Sequence, residues 1–293
     1  MGQKFYQVDV FTDRVFGGNP LAVFTDPGKL NEAVHLPIAR EMNLSETTFV
    51  YPPRNPKADF KVRIFTPGKE IPFAGHPTLG TAHILWETEK ISSASDSVIL
   101  ELGTGLVKVT KSRENLLYMD QPLPDFGETV ETVDQVADAL SINPGEIDSR
   151  FPLQIVSTGF PALYVPLTSL SVIQRVELNF TVLREVLGGV DMIYVFTGET
   201  REPESTVYSR AFAPFIGIPE DPATGSAAGA LGAYLVRHKV IENLDSSAIV
   251  IEQGFEMSRP SKIQVSVGQT DGEINSIKVG GQAITVLEGS LRA

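Results

Sequence analysis

The sequence contains no cysteine. Thiol catalysis, thiolate metal sites, iron–sulfur clusters and disulfide bonds are therefore excluded. Histidine is scarce as well, and the four histidines, His35, His76, His83 and His238, show no metal-ligand spacing. No apolar run reaches the roughly 18 residues that a membrane span needs, and the first residues pass directly into a strand-like pattern. We therefore expect a cytoplasmic protein with no metal and no membrane partner.

Positive charge is also in deficit, since 24 Lys and Arg stand against 36 Asp and Glu, for a net charge of −12. A nucleic-acid or anionic-membrane partner would favour a basic patch, and these cations are scattered, so we predict neither partner. Gly103-Thr104-Gly105 lacks the third glycine of a dinucleotide fingerprint, and no phosphate-loop motif is present. The sequence thus gives no support for a nucleotide cofactor, and we predict none.

The N-terminal part alternates strand and helix patterns. Strands are predicted over 4–11 and 20–25, and apolar residues spaced four apart predict a helix over 30–42 that ends at Asn43. Glu46 then lies where this helix gives way to a strand over 47–51. His35 and His238 are interpreted as surface residues.

Two later segments are apolar on most sides, over 77–89 and 225–236, which is typical of buried helices. Each is preceded and followed by strand patterns, so we predict two sheets, each wrapped around one helix. His76-Pro77 and Asp221-Pro222 open the two segments and lie 145 residues apart, about half of the 293-residue chain. This spacing predicts two similar halves, with Asp221 in the place of His76.

Three side chains at these junctions are candidates for chemistry. His76 can donate to a ligand at a helix start or serve as a structural cap, and Asp221 can bind a ligand or act as the N-cap. By position alone, Glu46 is interpreted as a solvated carboxylate at the start of a strand. A Ser-His-Asp hydrolase built on Ser226 is disfavoured, because Gly225 directly precedes the serine and the G-x-S-x-G pattern is absent there.

Several ordered motifs together resemble the PhzF-like phenazine biosynthesis family over nearly the whole chain. They are Gly18-Asn19-Pro20-Leu21-Ala22-Val23-Phe24, Ile38-Ala39-Arg40-Glu41-Met42-Asn43-Leu44-Ser45-Glu46-Thr47, Arg63-Ile64-Phe65-Thr66-Pro67, Phe73-Ala74-Gly75-His76-Pro77, Glu220-Asp221-Pro222-Ala223-Thr224-Gly225-Ser226-Ala227, Gln253-Gly254, Arg259-Pro260-Ser261 and Glu288-Gly289.

The resemblance implies the α+β fold of diaminopimelate epimerase, with two pseudo-symmetric domains, each a barrel-like β-sheet wrapped around a central α-helix, and a ligand site in the cleft between them. It implies an N-terminal domain over 1–120 that is completed by a C-terminal strand over 281–293, a second domain over 121–280, and a homodimer. Related epimerases use one cysteine from each domain. A chain without cysteine cannot run that two-thiol reaction.

The resemblance further implies that Glu46 carries the proton, with His76 and Asp221 as catalytic partners. Family ligand contacts fall on Gly75, His76, Asp221, Gly225 and Ser226, with Ser45 and Asn19 as neighbours. The segment Ser157-Thr158-Gly159-Phe160-Pro161 and Pro222 follow the broader family and not the phenazine enzymes, so the ring substrate of those enzymes is not implied.

The resulting hypothesis is a cofactor-independent isomerase or epimerase that acts on a small carboxylated metabolite bearing an amino or hydroxy group. The alternative is a member of the family that only binds a metabolite or a protein.

Overall fold

A computed structural model describes residues 2–28 and 30–292. The chain divides into two compact units. One unit runs to Asp120 and also takes in the chain from Gly280 onward, and the other is Gln121–Val279. None of the helices in the described ranges combines the length and the apolar character that a membrane span requires.

The elements up to Gln121 are, in chain order, β1 (Gln3–Val10), β2 (Asn19–Phe24), a 3₁₀ turn (Glu32–Val34), α1 (His35–Met42), β3 (Glu46–Tyr51), β4 (Phe60–Phe65), β5 (Glu70–Ile71), α2 (Gly75–Glu87), β6 (Ser97–Leu102), β7 (Gly105–Lys111) and β8 (Leu117–Gln121). Those that follow are β9 (Asp125–Thr129), α3 (Val133–Ala139), a 3₁₀ turn (Pro144–Glu146), β10 (Gln154–Ser157), β11 (Pro161–Pro166), α4 (Leu170–Gln174), α5 (Phe180–Leu187), β12 (Ile193–Thr197), β13 (Val207–Ala213), a 3₁₀ turn (Pro214–Ile216), β14 (Ile218–Asp221), α6 (Gly225–His238), β15 (Ile249–Gln253), β16 (Ser261–Thr270), β17 (Glu273–Gly281) and β18 (Ala283–Leu291).

Strand pairing follows the same scheme in the two units. In the first, β1 and β2 are antiparallel, β2 and β3 parallel, β3 and β4 antiparallel, and β4 and β6 parallel. In the second, β10 and β11 are antiparallel, β11 and β12 parallel, β12 and β13 antiparallel, and β13 and β15 parallel. One further antiparallel strand is added to the start of each series, β18 beside β1 and β9 beside β10. The predicted pseudo-symmetric α+β fold is confirmed.

An arginine–glutamate ion pair is repeated along with the strands. Arg63 on β4 donates from Nε and from a terminal nitrogen to Glu70 on β5, at 2.8 and 2.7 Å. Arg210 on β13 makes the same two-bond contact with Glu220 on β14, at 2.8 and 2.9 Å. Each pair fixes the short strand that leads into a central helix.

The glutamates of the two ion pairs and the starts of the central helices share one spacing between the halves. Glu70 and Glu220 lie 150 residues apart, as do the first residues of α2 and α6, Gly75 and Gly225. In this register His76 corresponds to Ser226. The predicted correspondence of His76 with Asp221, 145 residues on, is therefore wrong.

The two central helices are buried, as predicted. In α2, 11 of 13 residues are buried, and the helix packs against strands of the first unit that include β1, β2 and β3. Small residues permit this packing, since a Cβ at Gly80 would lie 2.8 Å from side chains of β1 and β2. A Cβ at Gly232 of α6 would similarly lie 2.6 Å from Val265 on β16. Glycine at these two positions lets the sheet approach the helix backbone.

The segment over 30–42 is helical for only part of the predicted range. It starts as the 3₁₀ turn Glu32–Val34 and becomes α1 at His35, with Pro37 in the first turn, where a proline needs no hydrogen-bond partner. His35 is fully buried, so its interpretation as a surface residue is wrong. Its ring stacks on Phe49 at 4.2 Å, and its Nε2 lies 2.8 Å from the hydroxyl of Tyr51. Burial lowers the pKa of His35.

Candidate active site

Glu46 occupies the first position of β3, directly after a tight helix end. Asn43 adopts a left-handed conformation with φ 50°, and its N–H donates to the carbonyl of Ala39 at 3.2 Å, which closes α1. The chain then turns through the half-buried Ser45 into the strand, where Glu46 pairs in parallel with Leu21. The side chain of Glu46 is only 9% exposed. The interpretation of this residue as a solvated carboxylate is therefore wrong.

His76 lies beside Glu46 at the start of α2. Oε2 of Glu46 and Nε2 of His76 are 3.1 Å apart, and the imidazole is only 7% exposed. Their distance is that of a hydrogen bond but their angle is not, and neither atom has a hydrogen bond of normal geometry to the residues that the structure describes. Such buried polar atoms are costly unless a partner arrives. The N-cap of α2 is Ala74, so His76 is not the cap residue.

A buried hydroxyl pair joins the two elements that carry this contact. Thr48, two residues along β3 from Glu46, lies on the same face of the strand, because side chains alternate. Its hydroxyl is 2.8 Å from the hydroxyl of Thr81 on α2, and both side chains are fully buried. This bond holds β3 against α2 close to the Glu46–His76 contact.

Two further predicted residues of the first unit lie near this edge of the sheet. Asn19 is the fully buried first residue of β2, two positions before Leu21, which pairs with Glu46. Gly75 is the buried first residue of α2 and directly precedes His76. The first unit therefore gathers Asn19, Ser45, Glu46, Gly75 and His76 at the starts of β2, β3 and α2.

In the second unit, Asp221 is the last residue of β14 and is buried. The N-cap position of α6 belongs to Thr224, so the N-cap interpretation of Asp221 is wrong. Instead, the hydroxyl of Thr224 donates to Oδ2 of Asp221 at 2.5 Å. The turn between strand and helix is thus closed by its own side chains, and it presents the Asp221 carboxylate at the start of α6.

Gln253, at the end of β15, holds this turn. Its Nε2 donates to the carbonyl of Asp221 at 2.7 Å and to the hydroxyl of Thr224 at 2.9 Å. Its Oε1 accepts the N–H of Thr224 at 3.2 Å and the hydroxyl of Tyr194 at 2.9 Å. Sequence reasoning noted Gln253 only as part of a family motif, and no local pattern connects it with a turn about 30 residues earlier.

The start of α6 is fixed by a second amide. Gln121 donates from Nε2 to the carbonyl of Gly225 at 2.9 Å, and its Oε1 accepts the hydroxyl of Thr158 at 2.8 Å. That hydroxyl also lies 3.2 Å from the carbonyl of Ser226. Gly225 and Ser226 are thus held through their carbonyl groups, while Ser226 itself is half-buried.

The backbone conformation of Gly254 explains the glycine in the Gln253-Gly254 motif. This residue adopts a φ of 82°, and a Cβ there would lie 2.4 Å from the carbonyl oxygen of Pro222 and 2.5 Å from that of Arg259. Ser261 donates to both carbonyls, at 2.9 and 3.0 Å. The C-terminal motif residues therefore support the turn that carries Asp221.

Two pseudo-symmetric units, each with a polar cluster at the start of its buried helix, define the fold class of the diaminopimelate epimerases and proline racemases. A hydroxyproline epimerase from Agrobacterium vitis has this fold, with a TM-score of 0.61 at 12% identity over 98% of this chain and 92% of that one. At a finer level, the family model described as phenazine biosynthesis-like protein, PhzC-PhzF, matches residues 8–289. The chain belongs to this family.

Relatives within the family are more similar. A trans-2,3-dihydro-3-hydroxyanthranilate isomerase from Pseudomonas chlororaphis is 36% identical over 289 residues, which cover 97% of each chain. The crystal structure of a PhzF-family phenazine biosynthesis protein from Bacillus anthracis has a TM-score of 0.91 at 27% identity, with full coverage of both chains. The predicted family is confirmed, and at family level the chain is similar to proteins named as isomerases.

Proposed function

We propose that this protein is a cofactor-independent isomerase that moves a proton within a small carboxylated metabolite, with Glu46 as the general acid and base. The observation that carries the proposal is the contact between Glu46 and His76, two buried groups 3.1 Å apart whose facing atoms lack hydrogen bonds of normal geometry to any residue within 2–28 and 30–292. Buried, under-satisfied ionisable groups at the start of a helix are typical of catalytic positions. The isomerase names of the relatives support the reaction class.

In the proposed reaction, the Glu46 carboxylate removes a proton from carbon, so that a C–H bond breaks and an O–H bond forms. The released electron pair spreads into the conjugated system of the substrate. The same carboxyl group then returns the proton to a different carbon. The substrate and the enzyme end with the protons they began with, so the balance requires no cofactor. We expect His76, whose Nε2 lies 3.1 Å from Oε2 of Glu46, to form a hydrogen bond with the carboxyl group when the substrate is bound.

We further propose that Asn19, Ser45, Gly75, Asp221, Gly225 and Ser226 are substrate-binding residues. The first N–H groups of a helix attract anions, so α2 and α6 are suited to hold a carboxylate. A carboxylate such as Asp221 is suited to hold an amino or hydroxyl group. A compound such as trans-2,3-dihydro-3-hydroxyanthranilate carries all three groups, which makes it one member of the proposed substrate class.

The test is incorporation of deuterium from heavy water, followed by proton NMR, over a panel of amino- and hydroxy-carboxylates that includes trans-2,3-dihydro-3-hydroxyanthranilate. We expect exchange or isomerisation with the wild type, and a rate about 10² to 10⁴-fold lower in Glu46→Gln, which is the usual contribution of a general base. Glu41→Gln is a matched control, because Glu41 is an exposed glutamate on α1 nearby in sequence.

Unchanged exchange in Glu46→Gln would refute the role of this residue. A wild type that binds panel members but neither exchanges a proton in any of them nor isomerises any of them would instead favour the alternative, a binding protein without turnover.

A further inference from the structure

The side-chain amide of Gln253 is saturated with hydrogen bonds. Gln253 is fully buried at the end of β15. Both protons on its Nε2 and both acceptor positions on its Oε1 are used, by the backbone of Asp221 and Thr224, the hydroxyl of Thr224 and the hydroxyl of Tyr194. A saturated buried amide has one orientation and holds its neighbours in one arrangement.

The backbone partners determine which way the amide faces. The N–H of Thr224 can only donate, so it must meet Oε1 of Gln253. The carbonyl of Asp221 can only accept, so it must meet Nε2. The alternative flip of the amide would leave two donors facing each other and two acceptors facing each other, and both contacts would be lost.

This orientation then directs the hydroxyl proton of Thr224. Because the hydroxyl oxygen accepts an N–H from Gln253, its own single proton is available for the other partner, Oδ2 of Asp221, at 2.5 Å. In this arrangement Oδ2 of Asp221 is the acceptor of the Thr224 proton. A donated hydrogen bond of this length stabilises the charged form of a carboxylate.

We propose that Gln253 is a positioning residue that, through Thr224, holds Asp221 as an ionised hydrogen-bond acceptor. A carboxylate held in this way is suited to a donor on the ligand, such as an ammonium or hydroxyl group, and is a poor partner for the ligand's own carboxylate. The assignment of a ligand to Asp221 rests on the proposed function. The coupling from Gln253 to Asp221 rests on the hydrogen bonds alone.

The charged and titratable neighbours of the turn in this unit include Tyr194, Glu252 and the Arg210–Glu220 pair. Burial raises the pKa of Tyr194, so its hydroxyl keeps the proton that it donates to Gln253. Glu220 is held by Arg210, and the buried Glu252 accepts two backbone N–H groups from the loop at residues 201–202. These groups have partners of their own, and the hydroxyl of Thr224 donates directly to Oδ2 of Asp221.

The experiment is a pH titration of the aspartate carboxyl carbons by carbon-13 NMR in the ligand-free protein, with Asp221 assigned by Asp221→Asn. Thr224→Val removes the donated proton and keeps the side-chain shape. We expect the Asp221 midpoint to rise by about one to two pH units, the usual effect of losing a hydrogen bond to a charged group. Thr224→Ser restores the hydroxyl and should restore the midpoint. Gln253→Glu places an acceptor beside Thr224 and should raise the midpoint as Thr224→Val does.

Gln154→Glu is the matched control. Gln154 is a buried glutamine of the same unit, and its side chain is bonded to Gly127 and His238 and not to the turn that carries Asp221. The titration midpoint of Asp221 in Gln154→Glu should equal that in the wild type. An unchanged midpoint in folded Thr224→Val, or in folded Gln253→Glu, would overturn the proposal. Should Gln253→Glu fail to fold, the valine and serine variants of Thr224 decide the coupling. A shifted midpoint in a protein without deuterium exchange would retain the coupling and reject the isomerase.

Discussion

Arg63 and Arg210 make the same contact with a glutamate, but Arg210 is more deeply buried. Replacing each arginine by alanine therefore measures how burial changes the contribution of this contact to the free energy of unfolding. Both guanidinium groups form a two-bond contact with a glutamate on the next strand. Both also lie over the phenylalanine ring two residues later, at 5.2 Å in the first unit and 4.8 Å in the second. The loss of this cation–π contact, about 0.5 to 1 kcal/mol, is therefore common to the two variants.

The other contributions to the free energy of unfolding differ between the two arginines. The Arg210 side chain is 8% exposed, and its third nitrogen also donates to the carbonyls of Ile173 and Val176, both at 3.0 Å. Its removal strands these acceptors together with Glu220, and breaking a buried pair in this way costs about 3 to 5 kcal/mol. Arg63 is 19% exposed. Its glutamate partners, Glu70 and Glu32, are 43% and 69% exposed. Exposed pairs contribute about 0.2 to 1 kcal/mol each.

With the shared cation–π loss included, we expect the free energy of unfolding to fall by about 3.5 to 6 kcal/mol in Arg210→Ala and by about 1 to 3 kcal/mol in Arg63→Ala. The measurement is urea denaturation followed by far-UV circular dichroism. The single tryptophan, Trp86, lies in α2 of the first unit, so its fluorescence follows that unit separately. Equal losses in the two variants would refute the argument, because contact geometry, and not burial, would then determine the cost.

Two other substitutions have defined outcomes. A Cβ at Gly229 would lie 2.0 Å from Oε1 of Gln121, so Gly229→Ala should displace that amide from the carbonyl of Gly225 and lower the free energy of unfolding by about 2 to 3 kcal/mol in a denaturant titration. Gly145→Ala is the control, because a Cβ at Gly145 meets open space, and its effect should be nearly neutral. A similar cost for both variants would contradict the argument. Burial lowers the pKa of His35, so the unfolded chain binds its proton first as pH falls below about 6.5. The stability margin of the wild type over His35→Gln should shrink through that range, and a margin independent of pH would rule out this linkage.

Periodicity alone predicted the central helices, since a helix that is apolar on all sides is typically buried in a protein core. It could not predict the burial of Glu46, because that depends on α2 covering the start of β3 from about 30 residues away. The role of Glu46 came from family resemblance and is still a prediction. The environment of His35 was misjudged for a related reason, since the rings that enclose it, Phe49 and Tyr51, belong to the next strand.

The repeat was detected from the sequence, but its register was not. Matching His76 with Asp221 relied on the proline that follows each residue. The structure instead matches the glutamates of the ion pairs and the helix starts, which are separated by 150 residues and not 145. Proline marks a turn wherever one occurs, whereas an ion pair between adjacent strands specifies a position in the fold. Only the folded chain reveals which glutamate each arginine selects.

The pairing of β18 with β1 has a consequence for synthesis. The start of the first unit is made first but lacks a strand until Leu291 has emerged from the ribosome, so β1 leaves the exit tunnel with one edge uncovered. The second unit is continuous in the chain and has all of its residues available once Val279 has emerged. Translation therefore begins the first unit early and finishes it last, and its exposed edge must be kept from other chains throughout that interval.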